Sequence, residues 1–303
     1  MTGRILAFMV ASVMALAPVN KTSHVPEGWL VWHSYTDYSA MDSCLYYMEP
    51  NGRIRTIEGN FVHAMNGSFG TDPDKVAFMA IDKAADEWDV FIYNAGDESI
   101  VNMTDHSGFR NEDPKWSPDG KSIVFKRGKW NSTVNDFQYD LALLDIQTRN
   151  VTMLTDDISE EAMPCFSSDG KYIYYAGYKN GFGSIYRLDL SNNKRRVIYS
   201  ENGVNAYYPV VMGKDVYFTK WLSKTDHHDQ LMRFDGRKTI RLPFNKAECD
   251  FSDICPIGGN SYIYSSTLHG EYDLYFYNGR EAVPLSKINS ERNELGADFF
   301  ALS

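Results

Sequence analysis

The feature that most constrains the fold of this chain is a phrase that occurs twice. The segment KWSPDGKSIVF begins at Lys115, and CFSSDGKYIYY begins fifty residues later at Cys165. Each joins an aromatic residue, an Asp-Gly turn and a short apolar run, and Asp-Gly pairs tolerate the positive φ angles of tight hairpin turns. A second strand follows each phrase, in YDLALLDIQ from Tyr139 and in GSIYRLDL from Gly183. The repeated unit therefore contains several strands.

The second strand of the unit occurs six times, and its first core residue marks the period. These markers lie 43 to 51 residues apart, at Leu45, Val90, Leu141, Ile185, Leu231 and Leu274. A period of roughly 40 to 50 residues with several strands per unit is typical of a β-propeller blade. Alternating residues in DLALLDI and SIYRLDL also favour β-strands. We predict an all-β, six-bladed β-propeller of four-stranded antiparallel blades, a single domain over residues 24–303.

An aspartate recurs at the start of this strand, as in Asp89, Asp140 and Asp273. A carboxylate at a strand start can accept hydrogen bonds from nearby backbone N–H groups. We interpret these aspartates as structural acceptors for the loop that precedes each strand, and not as paired catalytic carboxylates.

The two ends of the chain together supply one complete unit. The first unit begins directly with the strand GWLVWHS at Gly28 and lacks the preceding aromatic element. The chain ends in NELGADFFALS from Asn293, which is similar to that missing element. We predict that the C-terminal strand is the innermost strand of the first blade. Closing the ring in this way removes open sheet edges, which otherwise favour association, and we expect a monomer.

The repeat resembles that of a known family. DPKWSPDGKSIVFKRG from Asp113, with the strand from Tyr139, is similar to the TolB-type propeller repeat, a relative of the WD repeat. MPCFSSDGKYIYYAGYKNGFGSIYRLDL from Met163 resembles it almost as closely. The resemblance covers essentially all of the chain after its first residues. In bacterial TolB, a periplasmic protein, an α/β domain precedes the propeller, and six blades leave no length for that domain here.

The N-terminal residues have the pattern of an export signal. MTGRILAFMVASVMALAPVN places one arginine before an apolar run over Ile5–Ala17, which ends in small residues. This pattern predicts a signal peptide over residues 1–23, and the run is too short to span a bilayer comfortably. We expect export to the periplasm or the extracellular space. A buried N-terminal helix is the alternative.

Composition excludes some classes of function. The net charge of −10 disfavours a nucleic-acid partner, because phosphate binding needs a basic surface. Four cysteines are too few for a disulfide scaffold. Cys249 and Cys255 could pair after export, or they could be small buried residues. No later stretch is long and apolar enough for a membrane span.

Candidate functional residues gather on one predicted face. Motifs for a phosphate loop, HExxH or GxSxG are absent from the sequence, so a site has to come from residues of several blades. In a propeller, the loops that join blades and those between the second and third strands lie on the same face. Arginine and lysine there can pair with carboxylates, and tryptophan can stack on sugar rings. The candidate ligand-binding residues are His106, Arg110, Glu112, Arg127, Trp130, Glu161, Lys220, Trp221 and His269. The insert GKWNSTVNDFQ from Gly128 lengthens one of these loops, and we predict that it contacts the ligand.

Two functions fit this arrangement. The first is an exported binding module, without a cofactor, that holds a glycan, a peptide or a partner protein on this face. The alternative is a polysaccharide-acting enzyme, such as a metal-assisted oligouronide lyase, in which a base removes the C5 proton and a divalent metal stabilises the enolate. The candidate metal ligands are His227, His228 and His269. Convergence of three such ligands at the channel would favour the enzyme.

Overall fold

The structure, a computed structural model, describes residues 27–105, 107–133 and 135–302. These residues form 24 strands in six four-stranded antiparallel sheets, with one short 3₁₀ turn at Tyr38–Ala40. The predicted all-β, six-bladed propeller is confirmed. No helix in the described ranges is long and apolar enough to cross a membrane. The signal peptide predicted over residues 1–23 lies outside the described residues, and the domain start at residue 24 remains a prediction.

The strands follow one another regularly along the chain. They are β1 (Gly28–Tyr35), β2 (Cys44–Met48), β3 (Ile54–Ile57), β4 (Phe61–Phe69), β5 (Lys75–Asp82), β6 (Glu87–Asn94), β7 (Ser99–Asn102), β8 (Arg110–Trp116), β9 (Ser122–Asn131), β10 (Asp136–Asp145), β11 (Val151–Met153), β12 (Glu161–Phe166), β13 (Tyr172–Lys179), β14 (Phe182–Asp189), β15 (Arg195–Tyr199), β16 (Ala206–Met212), β17 (Asp215–Trp221), β18 (Asp229–Phe234), β19 (Thr239–Arg241), β20 (Phe251–Gly258), β21 (Ser261–Ser266), β22 (Asp273–Tyr277), β23 (Ala282–Pro284) and β24 (Asn293–Ala301).

The innermost strands of the six sheets surround a central channel. In five blades four consecutive strands run from the channel outward, as in β4-β5-β6-β7, whereas blade 1 has the order β24-β1-β2-β3. The strands β4, β8, β12, β16, β20 and β24 contact one another in turn around the ring. Strand β24 pairs with β1 from Gly28↔Ala301 to Tyr35↔Asn293. The predicted closure by the C-terminal strand is therefore confirmed.

The core lies between neighbouring blades, and the six period markers occupy it. Leu45, Val90, Leu141, Ile185, Leu231 and Leu274 all have 0% exposure. Each stands on the third strand of its blade. Burying one such side chain contributes about 1.5–3 kcal/mol, so the periodic apolar pattern holds each sheet against the next.

The repeated turn has the same hydrogen bonds in both blades that carry it. The Ser117 hydroxyl donates to Asp119 Oδ1 at 2.7 Å, and Ser167 donates to Asp169 Oδ1 at the same distance. The same hydroxyl accepts the N–H of the residue that starts the next strand. This donor is Ser122 for Ser117 and Tyr172 for Ser167. The recurrent phrase thus encodes a complete turn.

Two expectations about loops are wrong. The insert from Gly128 is an extension of the β9–β10 hairpin, because the strands pair up to Asp136↔Asn131, with Trp130 opposite Phe137. The strand-start aspartates mostly contact the loop that follows the outer strand. The Asp140 carboxylate, for example, accepts the Asp157 N–H at 2.9 Å. The loop that leaves the outer strand of a blade passes beside the third strand of the same blade on its way to the channel. Its backbone N–H groups therefore lie within reach of the aspartate.

The four cysteines are unpaired thiols. Cys255 is buried in β20 and Cys249 is half-buried. Of the two alternatives, the structure favours small residues that fill space.

Candidate functional site

Every innermost strand carries a β-bulge where it lines the channel. The bulge residues have positive φ angles of 48° to 61° and are Asn66, Asp113, Met163, Tyr208, Asp253 and Gly296. All six border one cavity of about 50 Å³ on the ring axis. A bulge re-aims the side chains of its strand, so six units place six different residues at the same height in the channel.

The chemistry of the bulge explains part of the sequence. Proline cannot donate to the strand ladder, so within sheets it is found at edges and at bulges. It follows the bulge residue at Pro114, Pro164 and Pro209. At Gly296 a Cβ would lie 2.5 Å from ring atoms of His33, so only glycine fits. Non-glycine residues at positive φ cost of order 1 kcal/mol or more each. This ring was not predicted from the sequence, where the available signal is a proline inside a predicted strand.

One buried lysine forms ion pairs with two carboxylates beside the ring. Lys126 Nζ lies 3.0 Å from Glu112 Oε2 and 3.6 Å from Asp113 Oδ2. The Tyr139 hydroxyl donates to Glu112 Oε1 at 2.8 Å. Burial opposes the charge of Lys126, but Asp113 and Glu112 outweigh it and raise its pKa. This cluster contains the predicted residue Glu112, and both of its carboxylates have an ion-pair partner within the protein.

Other carboxylates around the channel have cations only at longer range: Lys126 lies within electrostatic range of Glu160, and Lys115 lies within that of Asp253. Glu160, Asp229, Asp250 and Asp253 form no ion pair within the part of the chain that the structure describes. Burial, followed by the charges of Asp250 and Asp253, raises the pKa of Asp229 to about 7, although the Tyr207 hydroxyl donates to it. Burial also raises the pKa of Asp253 to about 6. The carboxylates repel one another across the channel.

Tyrosines stand between these carboxylates. Tyr208 lies within electrostatic range of Asp113, Asp253, Tyr178 and Tyr38, which belong to four other blades. Tyr272 lies in the same way near Asp229, Asp250 and Asp253. The hydroxyls of Tyr178, Tyr208 and Tyr272 have no hydrogen-bond partner among the described residues. We call this group of tyrosines and unpaired carboxylates the channel mouth: Tyr38, Tyr178, Tyr207, Tyr208, Tyr272, Glu160, Asp229, Asp250 and Asp253.

Two aromatic clusters lie farther out on the same face. In blade 3 the Arg110 guanidinium lies 3.9 Å from the centre of the Phe137 ring, and Trp130 meets that ring edge-on at 5.3 Å. In blade 5 Trp221 stacks on His227 at 3.9 Å. Phe182 of blade 4 meets Trp221 edge-on at 6.4 Å. The structure thus places the predicted residues Arg110, Trp130 and Trp221 at hairpins of one face, in two separate groups.

Three other predicted residues are engaged inside the protein. Lys220 Nζ donates to Glu201 Oε2 at 2.6 Å, and Arg195 lies 3.1 Å from the buried Glu161. Burial raises the pKa of Glu161 to about 7. Arg127 donates to Asn111 Oδ1 at 2.8 Å and covers the Phe109 ring. These contacts stabilise the blades, and the role of these residues toward a ligand remains a prediction.

The predicted histidine ligands point to different partners. His228 bonds to Asp226 at 2.7 Å, which raises the pKa of the histidine. His269 bonds to the Tyr275 hydroxyl at 2.6 Å, while His227 lies on Trp221. No group of three His, Cys, Asp or Glu that could hold a metal occurs in the described ranges. His106 lies outside the described residues.

Large exposed apolar side chains are distributed unevenly. We call the side with the blade-joining loops and the hairpins between second and third strands the mouth face. It carries Tyr38, Met41, Trp130, Ile158 and Phe182, of which Ile158 is 99% exposed. At the opposite face the structure describes three, Ile54, Met212 and Leu302, and the other three, Val62, Met153 and Val197, lie within strands. Exposed apolar groups concentrated on one side are typical of interaction surfaces.

Comparison with known proteins supports the repeat and the fold. No protein-family model matches the chain. TolB of Roseobacter denitrificans is 40% identical over 70 residues, which are 23% of this chain and 16% of that protein. An uncharacterized protein of Agrobacterium fabrum is 28% identical over 129 residues, or 40% of this chain and 42% of the relative. The matched segments thus span less than half of either relative.

Solved structures resemble the whole ring. The crystal structure of TolB from Acinetobacter baumannii superimposes with a TM-score of 0.69 at 16% identity, covering 90% of this chain and 66% of that one. Structures of peptidases and of an oligogalacturonate lyase also superimpose, at 12–13% identity. Similarity at this level of identity shows only a shared fold. The chain is a TolB-like six-bladed β-propeller in repeat and in architecture.

Proposed function

We propose that this chain is an exported binding module that holds a partner polypeptide on its mouth face. The observation that carries the proposal is the concentration of exposed apolar side chains there. Tyr38, Trp130 and Phe182 come from three blades, so a surface of several loops is available. Interfaces between proteins are enriched in tyrosine, tryptophan and phenylalanine at their centres.

The channel mouth supports the same conclusion. The hydroxyls of Tyr178, Tyr208 and Tyr272 have no hydrogen-bond partner among the described residues and can make polar contacts with a partner, while the surrounding side chains offer apolar area. Such a mixture is typical of hot-spot regions, where a few aromatic side chains supply most of the binding free energy. A rigid ring of strands holds these groups in place, which reduces the entropy lost on binding.

The other candidate functions have less support. A glycan could stack on Trp221, but His227 already covers that ring at 3.9 Å. The metal-assisted lyase needs converging ligands, and His227, His228 and His269 each contact a different residue. These contacts leave a polypeptide as the better-supported ligand.

Photo-cross-linking in cells of the source organism tests the proposal. A benzophenone amino acid would replace Tyr38, Trp130 or Phe182 on the mouth face, and Met212 or Ile54 as matched controls away from it. All five side chains are exposed, so each probe reaches solvent without disturbing the core. We expect the same protein adduct from the three mouth-face positions and none from the controls. Adducts confined to the control positions, or no adduct at any position, would overturn the proposal.

A further inference from the structure

We propose that the channel mouth receives a basic side chain, of arginine or lysine, from an extended segment of the bound partner. This inference rests on the proposed function and adds the chemical nature of the ligand. It requires three properties of the mouth: unbalanced negative charge, aromatic surfaces beside that charge, and space for a single side chain.

The negative charge of the mouth is not balanced by the protein itself. Lys126 is shared between Glu112 and Asp113, which leaves Glu160, Asp229, Asp250 and Asp253 without an ion pair among the described residues. Asp229 and Asp250 are also coupled, because the Asp229 N–H donates to Asp250 Oδ1 at 2.8 Å. A guanidinium or ammonium group placed between these carboxylates would remove their mutual repulsion and form charge-assisted hydrogen bonds. A whole-chain charge of −10 would in addition attract a basic segment from a distance.

Aromatic groups at the same place favour a cation. Tyr208 stands at the bulge of β16 and lines the same cavity as Asp113 and Asp253, within electrostatic range of Tyr178 and Tyr38. The Tyr208 hydroxyl has no hydrogen-bond partner among the described residues, so its oxygen can accept a hydrogen bond from an N–H group of the ligand. A cation over a tyrosine or phenylalanine ring is attracted electrostatically by the electron-rich face of the ring. The same contact occurs elsewhere in this chain, for example with Arg110 over Phe137 at 3.9 Å and Arg187 over Tyr172 at 4.2 Å.

The size of the channel limits what can enter. The cavity bordered by the bulge residues is about 50 Å³, whereas sites for small-molecule ligands usually occupy about 300–1,000 Å³. Tyr208 and Asp253 of the channel mouth border this cavity, so a group that enters between them meets a space far smaller than a usual small-molecule site. Lys115 lines the cavity below Asp253 and has no ion-pair partner among the described residues. Its ammonium group would stop a second cation from passing farther, so the basic side chain ends at the level of Asp253.

Fluorescence anisotropy with three dye-labelled peptides tests this inference on the full chain. The peptides share a Gly-Ser background and contain two residues of arginine, of citrulline (the neutral isostere of arginine) or of glutamate. We expect the arginine peptide to bind at least about tenfold more tightly than the citrulline peptide, and the glutamate peptide not to bind. Equal binding of the arginine and citrulline peptides, or no binding of the arginine peptide up to about 1 mM, would overturn the inference.

Two charge-matched double variants separate the mouth from general attraction. Glu160→Gln with Asp253→Asn removes two mouth carboxylates, and asparagine tolerates the φ of 50° at position 253. Asp189→Asn with Asp235→Asn removes two carboxylates from turns of the opposite face, where each accepts a backbone N–H that asparagine can also accept. We expect the first pair to lose about tenfold in affinity for the arginine peptide and the second pair to lose little. Equal losses would show attraction by net charge alone and would also overturn the inference. Cross-linked adducts from the mouth face would still be obtained in that case, so failure here is distinguishable from failure of the proposed function.

Discussion

The Asn66 side chain donates a hydrogen bond of 2.8 Å to Oδ1 of Asp113 and so joins the bulges of two neighbouring innermost strands. The same asparagine donates its backbone N–H to His33 Nδ1 at 3.4 Å. Asp113 in turn lies 3.6 Å from Lys126. A continuous series of polar contacts therefore runs through blades 1, 2 and 3 along the channel wall, and it predicts how that wall responds to substitution.

Replacing Asn66 by aspartate should place two carboxylates in contact. Asn66→Asp keeps the shape of the side chain and the φ of 55°, but it exchanges the donor to Asp113 for a like charge. We expect a loss of about 1–3 kcal/mol in the free energy of unfolding at neutral pH, recovered in part on acidification. Urea unfolding measures it. Asn193→Asp is the matched control, since Asn193 has a φ of 56° in an exposed turn, and an equal loss there would contradict the expectation.

Gly296 should tolerate alanine much less well than another glycine with positive φ. A Cβ at position 296 would meet the His33 ring at 2.5 Å, whereas at Gly52 it would meet nothing within 4 Å. Gly52→Ala should cost only the backbone penalty of about 1–2 kcal/mol, and Gly296→Ala should cost clearly more. Thermal unfolding of both variants compares them. If the clash is the cause, His33→Ala should reduce the cost of Gly296→Ala in a double-mutant cycle; additive losses would argue against it.

Stability should fall as the pH rises through the range in which the mouth carboxylates titrate. Burial raises the pKa of Asp229 from 3.8 to about 7, in the neighbourhood of Tyr207, Asp250, Asp253 and His228. Between these values the folded chain binds more protons than the unfolded chain, so each such group contributes a slope of up to about −1.4 kcal/mol per pH unit. Asp229→Asn should flatten the slope and raise the melting temperature at about pH 8.

The control for this prediction has the opposite sign. The pKa of Asp189 is lowered by hydrogen bonds from Ser191, so its contribution is present above the unfolded pKa and is lost as the pH falls. Asp189→Asn should therefore lower the melting temperature at about pH 8. A lower melting temperature for Asp229→Asn as well would contradict the assignment of a raised pKa.

The two copies of the repeated turn should be energetically equivalent. Ser117 and Ser167 each donate to an aspartate and accept the N–H that starts the next strand. We expect Ser117→Ala and Ser167→Ala each to cost about 0.5–1.5 kcal/mol and to be additive in the double variant, because they lie in different blades. The exposed Ser168, which has no side-chain hydrogen bond among the described residues, is the control. Calorimetry measures the loss of stability in each variant. A loss in only one of the two serine variants would contradict the prediction.

Periodic apolar residues and turn residues made the fold predictable. Leu141 and its five equivalents mark both the number of blades and the strand that packs between them. The unmatched segments at Gly28 and Asn293 predicted the closing blade, because each alone would leave an unpaired edge. The apolar markers recur in all six units, so each unit supports the same prediction of a blade.

The site was less predictable because it depends on what differs between the units. Tyr208 and Asp253 occupy equivalent positions, yet their chemistry is unrelated, and no period connects them. The bulge that aims both into the channel adds one residue to a strand that reads as continuous. Arg110 and Trp130 were placed on the correct face by topology, whereas Glu161 and Lys220 are held by partners that are distant in sequence, Arg195 and Glu201.

Hydrogen–deuterium exchange of the full chain, with and without the partner recovered by cross-linking, tests most directly whether one face of the ring holds a polypeptide. We predict slower exchange on the mouth face, in residues 36–43, 155–160 and 222–228, and unchanged exchange in the opposite turns at 117–121 and 167–171. Slower exchange confined to those opposite turns, or to the outer strands, would contradict the binding face that we propose.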